Sequence, residues 1–117
     1  SISEPTTVFD VADGTVREYI VTPESVGLNR APADAVRGGT VEANLRFARA
    51  VLGGEQGPAR DVVLLNAAGG LVVSGLANDL EAGVQLAAEA IDSGRAREKV
   101  QQVAEVSQAL KAQGGAA

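Results

Sequence analysis

The sequence contains no cysteine and no histidine, and its only aromatic residues are Phe9, Tyr19 and Phe47. Without cysteine there are no disulfides, no thiolate nucleophile and no sulfur metal site, a composition compatible with a cytoplasmic protein. Lacking histidine as well, the chain is missing every common nucleophile–base pairing. No apolar run approaches the roughly 18 residues of a membrane span. The N-terminus also lacks the basic-then-apolar pattern of a signal peptide. The net charge of −5 leaves no cationic excess, and the ten Lys and Arg residues are scattered. Nucleic acid and anionic membranes both need clustered cations, so neither is expected as a partner. With so few aromatics, any core must be built from Val, Leu and Ala. Together with 14 glycines, that points to a segment shaped to pack against something larger.

What is present suits one soluble domain of 117 residues, 45% hydrophobic and 21% charged, too apolar for disorder. Thr6 to Val11 and Val16 to Val21 read as strands, joined by Ala12-Asp13-Gly14, a strong hairpin signal because Gly accepts positive φ. Val16, Glu18 and Ile20 fall on one face of the second strand, with Arg17, Tyr19 and Val21 on the other. Both faces are mixed, so the pattern specifies register only loosely. Thr22-Pro23-Glu24, closed by Gly27, predicts a short helical turn, and Pro32 to Arg37 a second.

Four helices follow. Thr40 caps the first, with Val41, Leu45, Ala48, Val51 and Leu52 at helical spacing and a stop at Gly53-Gly54. Its charged opposite side predicts a surface helix. Pro58 opens a helix apolar nearly all round, which predicts burial. Gly69-Gly70 in its middle predicts close backbone approach by a neighbouring element, such as a strand or helix missing from this chain, or else a break. Asn78-Asp79 caps a third helix with Leu80, Val84, Ala87 and Ile91 on one side. Ser93-Gly94 leads into a last helix striped with Val100, Val103, Val106 and Leu110. Gln113 to Ala117 reads as a flexible tail, leaving residues 1–112 as one domain segment. A start at Ser1 rather than Met suggests processing, trimming or a piece of a longer protein.

Candidate chemistry is sparse. Ser74 and Ser107 read as packing or helix-surface residues, and a lysine base would have to be Lys99 or Lys111, for which no partner is suggested. The acidic candidates for a metal are Asn78-Asp79 and the pair Glu89 and Asp92, both better suited to caps or solvated helix positions. Glu98 and Glu105, among Arg95, Arg97 and Lys99, read as an exposed face. Gly38-Gly39 before Thr40 invites an anion-binding reading, although a turn rather than a strand leads into it. Asn66, a lone amide among apolar neighbours, is expected, if buried, to tie its helix to an adjacent backbone in preference to contacting a ligand.

Taken in order, Asp13-Gly14 with Glu18-Tyr19, Pro23-Glu24 with Gly27-Leu28, Arg37-Gly38-Gly39 with Asn44, and Leu52-Gly53-Gly54 through Asn66-Ala67-Ala68 resemble the C-terminal third of the anthranilate phosphoribosyltransferase family. Gly83 and Ala90-Ile91-Asp92-Ser93-Gly94 continue the match, while Gly69-Gly70 departs from it, since the family more often has Ala there. The resemblance implies an α/β fragment: a β-hairpin followed by several packed α-helices, the end of a phosphoribosyltransferase α/β domain. It implies phosphoribosyl transfer from phosphoribosyl pyrophosphate to anthranilate, in tryptophan biosynthesis, by an intact homodimeric enzyme that uses Mg²⁺. The family's pyrophosphate loop, its Lys-His-Gly-Asn segment and its anthranilate-binding Arg have no counterpart here. Its acidic metal-binding pair precedes a hydrophobic residue and Ser, which Ile2-Ser3 match, so the Mg²⁺ ligands are expected before Ser1. No catalytic, substrate-binding or metal residue is therefore assigned within the chain. On this reading the chain is inactive without the N-terminal remainder of the enzyme. The alternatives are a non-catalytic α-rich binding or self-association module, and a relative that uses another acceptor.

Overall fold

The computed structural model describes residues 1–115. Strands β1 (Thr6–Ala12) and β2 (Thr15–Val21) form an antiparallel hairpin. Asp13 and Gly14 both take positive φ, at 51° and 75°. That tight primed turn matches the strand twist, so the turn fixes the register that side-chain pattern left loose. Thr6 lies opposite Val21 and Val8 opposite Tyr19 on the inner face. Phe9, Val11, Val16 and Ile20 occupy the outer face, open to solvent.

Each predicted turn and helix is present. Buried Pro23 starts the first turn, which Gly27 closes at φ 78° as Leu28 N–H reaches back to the Pro23 carbonyl at 3.0 Å. A second turn covers Ala33–Val36. The helices are α1 (Val41–Leu52), α2 (Pro58–Val73), α3 (Leu80–Asp92) and α4 (Arg95–Gly114). Thr40 caps α1 by accepting the Ala43 N–H at 3.2 Å, and Asp79 caps α3 by accepting that of Ala82 at 2.8 Å. Each satisfies a donor that the first helical turn would otherwise orphan. Helix α4 runs on through Gln113 and Gly114, further than the sequence pattern suggests. Ala116 and Ala117, assigned to the tail, lie outside the described residues.

The core lies between α2, α3 and the inner face of the hairpin. Leu64 and Ala68 of α2 meet Val84, Ala87 and Ile91 of α3, with Val21, Val26, Leu28 and Val51 closing the cluster. One expectation changes here. Helix α2 is buried along one stripe only, and Val63 and Val73 of the same helix face solvent. Gly69-Gly70 does not break the helix, and among the described residues a Cβ at either position would meet nothing within 4 Å. The crowded glycine is Gly83 of α3. A Cβ there would lie 2.9 Å from both Cα and Cβ of the fully buried Ala68. Two small residues thus let α2 and α3 come closer than larger side chains permit.

The chain exposes far more surface than its mass warrants. Its accessible area is 8099 Å², against about 5,900 Å² for a compact monomer of this mass. The radius of gyration is 16.6 Å, against about 13 Å for a compact chain of this length. Much of the excess is apolar: Val41, Leu45 and Phe47 of α1 and the valine stripe of α4 are all open. In chemical denaturation, Gly83→Val should lower stability by about 2 kcal/mol through overpacking against Ala68. Gly69→Ala should raise it by about 1 kcal/mol, because it removes a helix-interior glycine without meeting a neighbour.

Candidate functional site

The first residues of the sequence are firmly held. Ile2 is only 2% exposed, and its carbonyl accepts the Ala31 N–H at 3.0 Å. Arg30 reaches the same segment, donating from Nη1 to the Ser3 carbonyl at 2.9 Å. Its Nε and Nη2 grip both carboxylate oxygens of Glu24 at 2.9 and 3.1 Å. The planar guanidinium suits this arrangement, offering a two-pronged bond to a carboxylate and further donors for a carbonyl. These bonds from Arg30 hold the Glu24 carboxyl below the usual carboxylate range, and Glu24 in turn raises Arg30. Gly27 and buried Leu28 set the path that brings Arg30 and Ala31 back to Ile2.

A second anchor joins the helices. Arg60 at the start of α2 is 4% exposed and donates to Asp92 at the end of α3, at 2.7 and 2.9 Å. The Asp92 carboxyl keeps much of its contact with water, so the buried cation is neutralised without stranding the anion. Arg60 holds the Asp92 carboxyl below its ordinary value and is itself raised by that partner. Asp61 moves the other way, because burial pushes its carboxyl up.

These contacts account for most of the polar candidates. Both oxygens of Asp92 are engaged by Arg60, so it is not paired with Glu89 around a cation. Asp79 is spent on its cap. The Gly39 N–H donates to Asn44 Oδ1 at 3.0 Å, which ties up that loop's amide and removes it from any anion cradle. Asn66 is exposed rather than buried, and it donates to the Val62 carbonyl of its own helix at 2.8 Å. That corrects the expected tie to a neighbouring element. Ser74 bonds to the Leu71 carbonyl, Ser107 is exposed on α4, and Lys99 donates to Gln102. Among the described residues no three His, Cys, Asp or Glu side chains converge as a metal site would require. No helix of the described residues is long and apolar enough to cross a membrane.

The Arg60–Asp92 clamp and the grip of Arg30 on Ser3 escaped the sequence reading. The one local signal was Arg60 in a largely apolar helix whose other polar side chains are Asp61 and Asn66.

A family model described as "Glycosyl transferase family, a/b domain" matches residues 1–97. The chain belongs to that family. A protein of Symbiobacterium thermophilum named anthranilate phosphoribosyltransferase is 50% identical over 113 residues, which cover 97% of this chain and 33% of the relative. One of the same name from Thermomicrobium roseum is 52% identical over 113 residues, 94% of this chain and 32% of its own length. The crystal structure of anthranilate phosphoribosyltransferase (TrpD) from Thermus thermophilus superposes with a TM-score of 0.69 at 43% identity. That match covers 73% of this chain and 26% of the other. The hairpin with its four helices corresponds to the α/β domain of that fold. The chain spans about a third of the length of the curated relatives it matches.

The two ion pairs carry a pH signature. Asp92 and Glu24 have lowered folded values, so the unfolded chain binds protons more readily than the folded one across that range. Stability from these pairs is complete above the ordinary carboxylate values of about 4 and falls away as pH drops below them. Asp92→Asn should flatten the acid limb of a stability–pH profile measured by denaturant midpoints. Asp92→Ala should destabilise more than Arg60→Met, because only the former leaves a buried guanidinium unpaired.

Proposed function

We propose that this chain is a segment of an anthranilate phosphoribosyltransferase and serves as scaffold for reactive groups carried elsewhere in the enzyme. The observation that carries the reading is identity of about 50% running along nearly the whole chain, onto only a third of each relative. The reaction is attack of the anthranilate amine on the anomeric carbon of phosphoribosyl pyrophosphate, with pyrophosphate leaving. Charge grows on that leaving group, and stabilising it needs fixed donors or a metal ion. No step is assigned to Mg²⁺ here, because the described residues of this chain do not gather ligands for it. Its ligands belong to the remainder of the protein, as do the sites for both substrates.

The part left to this chain is positional. Ile2 and Ser3 match the residues that follow the family's acidic pair, and they are the ones locked down by burial, by Ala31 and by Arg30. An acidic pair entering at that point would be held by its immediate neighbour. Rigid placement of reacting groups matters because misplacement by about 1 Å can cost two orders of magnitude in rate. The intact enzyme is read as a cytoplasmic homodimer. The exposed valine stripe of α4 favours a second reading, a self-association module, which would show a stable homo-oligomer of the isolated chain in size-exclusion chromatography.

The 117-residue chain alone should form no detectable phosphoribosyl anthranilate. Mixing it with the complementary two thirds of the Symbiobacterium thermophilum relative should restore formation. In that mixture Arg30→Met should lower kcat by one to two orders of magnitude. Robust turnover by the isolated chain would refute the proposal.

A further inference from the structure

An apolar groove of about 360 Å³ opens between α1 and α2, a volume within the range of pockets that hold small organic molecules. Phe47 and Val51 of α1 form one side, and Val62 and Val63 of α2 the other. Val51 is buried and makes the floor, while Phe47 and Val63 stay nearly half exposed at the rim. Asn44 also lines the groove, one turn before Phe47 on the same face of α1. An amide therefore closes one end of an apolar row.

The polar groups at that end share one character. Arg37 is the only charge on the lining, and no Asp or Glu borders the groove. Asp and Glu outnumber Lys and Arg by 15 to 10 in the sequence. Yet the ion pairs among the described residues are Arg17–Asp10, Arg30–Glu24 and Arg60–Asp92, and none takes up Arg37. Asn44 Oδ1 accepts the Gly39 N–H at 3.0 Å, and Nδ2 donates to the Gly39 carbonyl at 3.3 Å. Those bonds fix the amide and leave the second N–H of Nδ2 to donate elsewhere. Gly38 joins the two groups, since a Cβ there would lie 3.6 Å from Asn44 Oδ1. The chain thus carries Arg37 to the same end as Asn44.

We infer that this groove binds a small aromatic carboxylate, with the ring between Phe47 and Val63 and the carboxylate on Arg37 and Asn44. A planar guanidinium takes a carboxylate in two parallel bonds. Phe47 offers an aromatic face, and the valine walls exclude water from a flat ring. A polypeptide occupant would bring backbone N–H and C=O groups that these valine walls cannot satisfy. The site stands apart from phosphoribosyl transfer, and its test reads no turnover.

The test is an NMR titration of the 117-residue chain with 2-naphthoate. Saturable shifts should appear at Asn44, Phe47, Val51 and Val63, with a Kd of about 1 mM or below. Arg37→Gln should weaken binding about tenfold, and Arg37→Lys should restore part of the loss. Val63→Glu, which sets a carboxylate on the rim, should weaken it at least tenfold. Arg97→Gln on α4, outside the groove, should stay within about twofold. Uncharged 2-naphthamide and the flexible anion octanoate should each bind about tenfold more weakly than 2-naphthoate. Absence of saturable shifts overturns the proposal. Equal affinity for 2-naphthamide, or for the Arg37→Gln variant, overturns it too, because ring burial alone would then explain binding. Octanoate binding as well as 2-naphthoate would remove the aromatic class. Displacement of 2-naphthoate by the complementary two thirds of the Symbiobacterium thermophilum relative would make the groove an internal contact of the enzyme and end the proposal.

Discussion

The close contact between Ala68 and Gly83 is the constraint on which the rest of this structure depends. It lets α2 and α3 meet with almost no side chain between them. The core of Leu64, Val84, Ala87 and Ile91 then closes with small aliphatic residues alone. It also sets the spacing at which Arg60 and Asp92 can clasp at the far end of the same helix pair. A larger residue at either position would wedge the helices apart and pull that clasp out of reach.

Around this tight centre the molecule is loosely finished. The hairpin presents its better apolar face outward, α1 sinks only Val51, and α4 buries none of its stripe. Such surfaces are costly for a monomer and ordinary for half of an interface. The surplus of exposed area accompanies identity with only a third of longer relatives.

Local chemistry was legible in the sequence, and long-range chemistry was not. Asp13-Gly14 announced the hairpin because only a few residues accept two successive left-handed conformations. Thr40 and Asp79 announced helix starts because a side-chain oxygen before an apolar period has one common use. Glycines were harder to read, since Gly69-Gly70 and Gly83 look equally permissive until a neighbour is placed against them. Arg60 and Asp92 lie 32 residues apart, and Arg30 acts on a backbone carbonyl 27 residues away. No periodicity encodes such pairs. Asn66 misled differently, since apolar neighbours in sequence suggested burial that the helix face does not provide. The family resemblance was plain in the order of the turn residues.

The hairpin turn also bears on the order of events during synthesis. A two-residue turn joining short antiparallel strands closes in microseconds, whereas α2 and α3 must wait for a chain separation of tens of residues to be bridged. Until then a two-stranded ribbon is only marginally stable by itself, so the hairpin persists only once Leu64, Ala68 and Val84 close beneath Val21.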